Sequence, residues 1–198
     1  VKALGAEVPG LREFPALKGP GVEVPSTPTA MVCWLRGDEK GDLLLQARAI
    51  EKAVAPALHF HRAVDGFRYK LGASGHGHDL TGYEDGTENP QDEHRAEVAL
   101  LEGGEFAGGS YVHVQRWVHA MSDWERLALK EQEDIIGRTK ADNIEDESAD
   151  KPLSSHIKRV NLKTPKGESM EILRQSMPWG TMREQGLYFI SCCRTPQH

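Results

Sequence analysis

The sequence predicts an α+β sandwich, with helices outside and antiparallel sheets facing inward. Two observations carry this prediction. A strand–helix–strand pattern occurs twice along the chain. Each of the two helices also carries apolar residues at helical spacing, so each has a stripe to lay on a sheet. The 198 residues are 38% hydrophobic, enough for a core in one large domain or two small ones.

Residues 1–28 are rich in Gly and Pro and lack periodicity. They read as a loop, or as a tether to a missing N-terminal portion. Thr29 to Arg36 reads as a buried strand that stops at Gly37. Asp42 can cap a helix running to Ala55, with Leu43, Leu44, Ala47, Ile50 and Val54 on one side. Leu58 to Tyr69 alternates enough for one or two short strands. Residues 29–90 therefore form a first half, and 91–198 a second.

The second half begins with an acidic stretch. From Glu84 to Glu105 there are eight acidic residues against Arg95 alone, which reads as a solvated surface. Ser110 to Trp117 reads as a strand with Val112 and Val114 on one face. Ser122-Asp123-Trp124-Glu125 has the form of a capping box and predicts a helix to Gly137. Asp142 to Asp150 predicts an exposed acidic loop. Lys158 to Lys163, Pro165-Lys166-Gly167 and Ser169 to Ser176 predict a hairpin, and Gly186 to Cys193 a last buried strand.

Composition narrows the function. Net charge is −6, so nucleic acid is not a partner, because phosphate binding needs clustered Lys and Arg. No apolar run is long enough to span a membrane. Cys33, Cys192 and Cys193 make an odd count, and neighbours on a strand point to opposite faces. They read as small buried hydrophobes in a reducing, cytoplasmic protein. His59 with His61, and His76 with His78, could share a face in pairs. Nothing near either pair completes a four-ligand metal site.

The chain centres on Gly82-Tyr83-Glu84-Asp85-Gly86-Thr87-Glu88-Asn89-Pro90. Glycine permits tight loops and close backbone approach, so Asp85 sits on a shaped loop. An Asp-Gly pair alone is an ordinary turn. The longer string resembles the signature of the dye-decolourising peroxidases, a family of haem enzymes. Ile136-Gly137-Arg138-Thr139-Lys140, then Ser155 to Val160, then Ile172 to Pro178 resemble the same family in order. The resemblance runs from about Val24 to Arg194 and is nearest to the bacterial, compact branch (class B/P).

The resemblance implies a dimeric ferredoxin-like fold holding one haem b per chain in the second half. It implies a peroxidase that reduces hydrogen peroxide and oxidises bulky organic donors (dyes, phenols, porphyrinogens) through a ferryl state. It also implies a homo-oligomer. By resemblance His156 is the proximal iron ligand, Arg174 the distal arginine and Asp85 the distal acid–base group. The same resemblance implies that Arg138 pairs with a haem propionate, with Glu145 close by, and that Gly86 and Thr87 touch the haem edge. Ser176 stands two residues after Arg174, where some relatives have asparagine, and its shorter hydroxyl reaches less far. The carboxylate that orients the proximal histidine has no counterpart that can be placed here. An aspartate at its reference pKa predicts better turnover at about pH 4–5 than at neutrality. The alternative is a haem-binding or porphyrin-processing protein with little peroxidase turnover.

Overall fold

The computed structural model describes residues 7–72, 74–147 and 151–196. The chain divides into two compact units, Pro9–Ala63 and a larger one containing Val64–His198. The boundary expected near residue 90 falls inside the larger unit, so the Asp85 loop and the later strands belong to one body.

In the smaller unit, β1 (Leu17–Gly19) and β2 (Val22–Val24) form a hairpin, where the sequence reading expected a loop. Its turn is Pro20-Gly21; the proline presets φ for a turn. α1 spans Lys40–Val54, with Glu39 rather than Asp42 at its N-cap and Asp42 in its first turn. An acid there still favours the helix, because the first-turn amides carry partial positive charge. Leu43, Ile50 and Val54 are half-buried, while Leu44 and Leu45 are exposed.

Thr29 to Arg36 forms no strand. Leu58 to Tyr69 forms none either; its sole bridge is Gly66 to Trp179. Both segments have strand-like composition. A strand also needs a neighbour paired along its length; Leu58 to Tyr69 meets one only locally, where Gly66 bridges Trp179 and the Phe67 N–H donates to the Pro178 carbonyl at 3.0 Å. Cys33 is exposed rather than buried; Cys193 is fully buried and Cys192 half-buried.

The larger unit is built on a four-stranded antiparallel sheet. β6 (Gln185–Cys193) is its axis. β3 (Tyr111–Arg116) pairs along one side of β6, in register Tyr111 with Cys193 to Arg116 with Tyr188. The other side pairs first with β4 (Leu173–Arg174) and then with β5 (Met177–Gly180). β3 and β6 match the expected strands; of the expected Ser169 to Ser176 strand only Leu173–Arg174 pairs, and β5 is an addition. Ile190, Cys193, Trp179, Val98, Ala99 and Tyr83 are the buried hydrophobic residues. Trp179 donates its indole N–H to the Trp117 carbonyl at 3.0 Å, and the Arg116 guanidinium stacks 4.0 Å above its ring.

Four short helices complete the unit: α2 (His94–Ala99), α3 (Met121–Trp124), α4 (Leu129–Ile136) and α5 (His156–Val160). The single helix expected from Ser122 to Gly137 is thus two. Trp124 is pinned by its indole bond to the Thr81 carbonyl, 3.1 Å. Gln132 caps the broken end by donating to the Trp124 carbonyl at 3.0 Å. The Glu131 carboxylate accepts the Ala128 N–H at 2.8 Å, so the capping glutamate belongs to α4. Of the strand expected at Lys158 to Lys163, Lys158–Val160 is instead the end of α5 and only Lys163 forms a bridge. The turn at 165–167 is present, closed by the Gly167 N–H on the Thr164 carbonyl, but only Lys163 and Ser169 pair across it.

Candidate active site

The loop carrying Asp85 is held by backbone bonds to the segment before it. The Asp85 N–H donates to the Gly77 carbonyl at 2.9 Å, and the Asp79 N–H to the Tyr83 carbonyl at 2.8 Å. His76-Gly77-His78 therefore serves as the loop's wall. Gly86 adopts φ +99°, and a Cβ there would sit 3.1 Å from Asn89 Nδ2 and 3.2 Å from His76 Cδ2. Only glycine fits that corner without strain. The Asn89 N–H closes the turn on the Gly86 carbonyl at 3.0 Å.

Across from this loop lies β4. The Arg174 guanidinium reaches Asp85 Oδ1 at 3.3 Å, with both side chains about three-quarters buried (23% and 22% exposed). Burial pushes the Asp85 carboxyl up from its ordinary value. The Arg174 charge opposes this, Asp79 adds to it, and His156 again opposes it. His156 begins α5 and is exposed by accessible surface. It is nevertheless crowded enough that desolvation pulls its imidazole below the usual histidine value; the nearby Arg174 charge acts the same way, and Asp85 opposes. Asp85, Arg174 and His156 thus form one electrostatic neighbourhood, drawn from three separate parts of the chain.

Arg138 follows the glycine that ends α4. Its guanidinium is mostly buried and donates to the Asn143 carbonyl at 3.0 and 2.8 Å, to Asn143 Oδ1 at 2.7 Å and to Glu88 Oε1 at 2.9 Å. Glu145 pairs with it across a β-bridge, at 3.6 Å, and reaches the buried Lys151 ammonium at 2.7 Å. Thr87 accepts from Asn143 Nδ2 at 2.8 Å, tying the Asp85 loop to this group. Ser176 Oγ lies 3.4 Å from the Ile190 N–H, between β4 and β5.

Three participants were not singled out from sequence. Asn89 sits inside the quoted loop string, yet its partner is the Arg174 backbone. Its Oδ1 accepts the Arg174 N–H at 2.8 Å and its Nδ2 donates to the Arg174 carbonyl at 2.9 Å. Asp79 and His119 form a buried pair with His119 Nε2 3.0 and 3.1 Å from the carboxylate oxygens. Burial alone would raise Asp79, but hydrogen bonds from His119 and Thr81 and the His119 charge together hold it below the usual carboxylate value. A gap of 40 residues hides that pair in the sequence.

The profile of the family described as Dyp-type peroxidase, C-terminal, matches residues 76–198. The chain belongs to the Dyp-type peroxidase family. It is 37% identical over 191 residues to the dye-decolorizing peroxidase of Mycolicibacterium paratuberculosis, covering 94% of this chain and 52% of that one. A solved dyp-type protein from Shewanella oneidensis superposes with TM-score 0.85 at 50% identity, covering 98% of this chain and 62% of that one. DyPB from Rhodococcus jostii RHA1 superposes with TM-score 0.84 at 36% identity, again covering 98% and 62%. A variant of the latter was solved in complex with heme. The chain thus spans about half the length of the curated relatives it matches. The α+β ferredoxin-like fold, with its antiparallel sheets, is the fold of this family.

Proposed function

We propose that the protein is a haem-dependent peroxidase that reduces hydrogen peroxide and oxidises bulky organic donors. The observation that carries this is the Arg174–Asp85 pair at 3.3 Å, set in one electrostatic neighbourhood with His156.

The donor set suits a haem. His156 offers an accessible imidazole, and haem iron asks a protein for an axial ligand of that kind. Among the described residues no group of three His, Cys, Asp or Glu side chains could hold a bare metal ion. Arg138 would pair with a propionate. Glu88 and Glu145 now share its guanidinium, and Glu88 is 67% exposed, so a propionate can displace it at small cost. Gly86 and Thr87 would line the haem edge, and Glu145 would hold Lys151 and Arg138 in place. When bound, haem supplies a redox-active iron between peroxide and donor.

The chain's own residues supply the rest. Asp85 takes the proton from the inner oxygen of peroxide and returns it to the outer one. Arg174, permanently charged, steadies the negative charge that develops on the departing oxygen. Ser176 has one hydroxyl to hold a water near them. The residues of 91–198 would supply the haem ligands, and the 82–90 loop the acid. Hydrogen peroxide and an organic donor are the partners, and the protein would act as a cytoplasmic homo-oligomer. A Mycobacterium smegmatis relative was solved as an encapsulated DyP-type peroxidase. No helix among the described residues is long and apolar enough to cross a membrane.

The test is an absorbance spectrum of the haem-loaded protein before and after one equivalent of peroxide, with His156→Ala alongside. A Soret band lost in His156→Ala, and a peroxide-driven spectral change reversed by a phenol, are expected. A Soret band that ignores peroxide would replace this reading with haem binding or porphyrin processing.

A further inference from the structure

β4 is two residues long and lies against β6 on one side only, Leu173 opposite Cys192 and Arg174 opposite Ser191. The next amide, of Gln175, donates to the Ile190 carbonyl across that ladder at 2.8 Å. Backbone groups alternate along a strand, so the Arg174 N–H and carbonyl point away from β6, toward the open edge. The Asn89 amide fills that edge with one acceptor and one donor, at 2.8 and 2.9 Å. It reproduces the two-bond contact of a neighbouring strand with one side chain. Both bonds form in only one orientation of the amide, so the partners assign its oxygen and nitrogen.

The same loop carries the acid. Asp85 precedes Gly86, whose carbonyl closes the turn with the Asn89 N–H, and the bare Gly86 Cα leaves room for the Asn89 amide. Acid and clamp are thus four residues apart on one rigid turn, and the clamp grips the residue whose guanidinium reaches the acid at 3.3 Å. We infer that Asn89 is a positioning residue: it fixes the Arg174 backbone to the Asp85 loop and so aims the guanidinium at the space beside Asp85. Its consequence for anion binding at the iron rests on the haem reading above; the clamp itself does not.

The test uses the intact protein with Asn89→Ala, Arg174→Ala and the double variant. Amide hydrogen exchange is read at Arg174 and Gln175. In Asn89→Ala the Arg174 amide should exchange at least about tenfold faster, the loss of one buried bond, while Gln175 is unchanged. In the haem-loaded protein, fluoride is the anion probe, titrated by absorbance at fixed pH. Asn89→Ala should weaken fluoride binding at least about tenfold, and should cost nothing further in the Arg174→Ala background. An edge contact with only a structural role would not give that non-additivity. Unchanged Arg174 exchange, or additive losses in the double variant, would overturn the inference. A wild type without a haem spectrum would sink the proposed function instead, and exchange in the haem-free chain would then decide the clamp alone. Asn89→Ser, too short to reach both backbone atoms, carries the same expectations should the alanine variant not fold.

Discussion

Asp79→Ala should cost about 3 kcal/mol of stability, although Asp79 touches neither Asp85 nor Arg174 in any hydrogen bond. Its carboxylate is buried, 8% exposed, and accepts from Thr81 N at 3.1 Å, Thr81 Oγ1 at 2.6 Å and His119 Nε2 at 3.0 Å. Removing it leaves three donors without an acceptor, at about 1–3 kcal/mol each. Thr81 is half-buried and the His119 side chain is 21% exposed, so water can reach them and the low end applies. The sum agrees with the low end of about 3–5 kcal/mol for breaking a buried pair. For a chain of this length it lowers Tm by roughly 6–12 °C, from about 2–4 °C per kcal/mol. Thermal melts followed by circular dichroism measure it. Asp79→Asn adds a check on sign. The folded-state pKa of Asp79 is depressed, so its contribution is present above the ordinary carboxylate value and lost as pH falls through the folded value. The gap between wild type and Asp79→Asn should hold between about pH 7 and pH 5 and close below about pH 4. A loss under about 1 kcal/mol for the alanine variant, or a gap indifferent to pH, would refute the reasoning.

Three further outcomes are expected. A Cβ on Gly186 would lie 1.9 Å from the Trp117 carbonyl oxygen and 3.1 Å from Val118 Cα, all backbone, so Gly186→Ala should lose about 3 kcal/mol or more, read from the urea midpoint. Tyr83 has a buried hydroxyl without a partner among the described residues, and burial pushes its pKa up to about 12. Tyr83→Phe should therefore gain about 1 kcal/mol in the same assay, and a loss would reveal a partner. Burial raises Asp85, so if its ionised form takes the peroxide proton, the acid limb of kcat/KM for peroxide should lie above the aspartate reference, about 3.9. That shifts the favoured range upward from the pH 4–5 expected of an unperturbed aspartate. Arg174→Ala, which removes a lowering influence, should move the limb higher still; a limb at or below the reference would refute this.

The two long strands of the ladder were legible because β3 alternates apolar and polar residues after Gly108-Gly109, and β6 carries an apolar run after Gly186. Tyr111–Arg116 and Gln185–Cys193 match the expected segments within a residue or two. The failures have a shared cause. Thr29 to Arg36 and Leu58 to Tyr69 have strand composition, but pairing is a property of neighbours, and composition does not supply one. Lys158 to Val160 went to helix because the turn that starts at Ser155 was invisible in a short polar run. At the site, Asp85 and Arg174 stand in recognisable strings, and the structure brings them into contact. Asn89 stands in such a string too, but its bond is to a backbone. Backbone partners leave no trace in residue identity, and neither does the Asp79–His119 pair.

The Asn89 contact joins residues 85 positions apart, and the Asp85 loop is complete long before β4 is made. Contacts of such long sequence separation form late, because closing the intervening chain costs entropy before any bond repays it. Translation imposes the same order. A ribosome that has emitted the whole acid loop has yet to make the arginine, and until it does the loop's carboxylate lacks the Arg174 guanidinium that meets it in the folded chain. Maturation of the site is therefore tied to completion of the last strands, and a chain cut before Arg174 would carry the most recognisable string in the sequence without the partner that makes it useful.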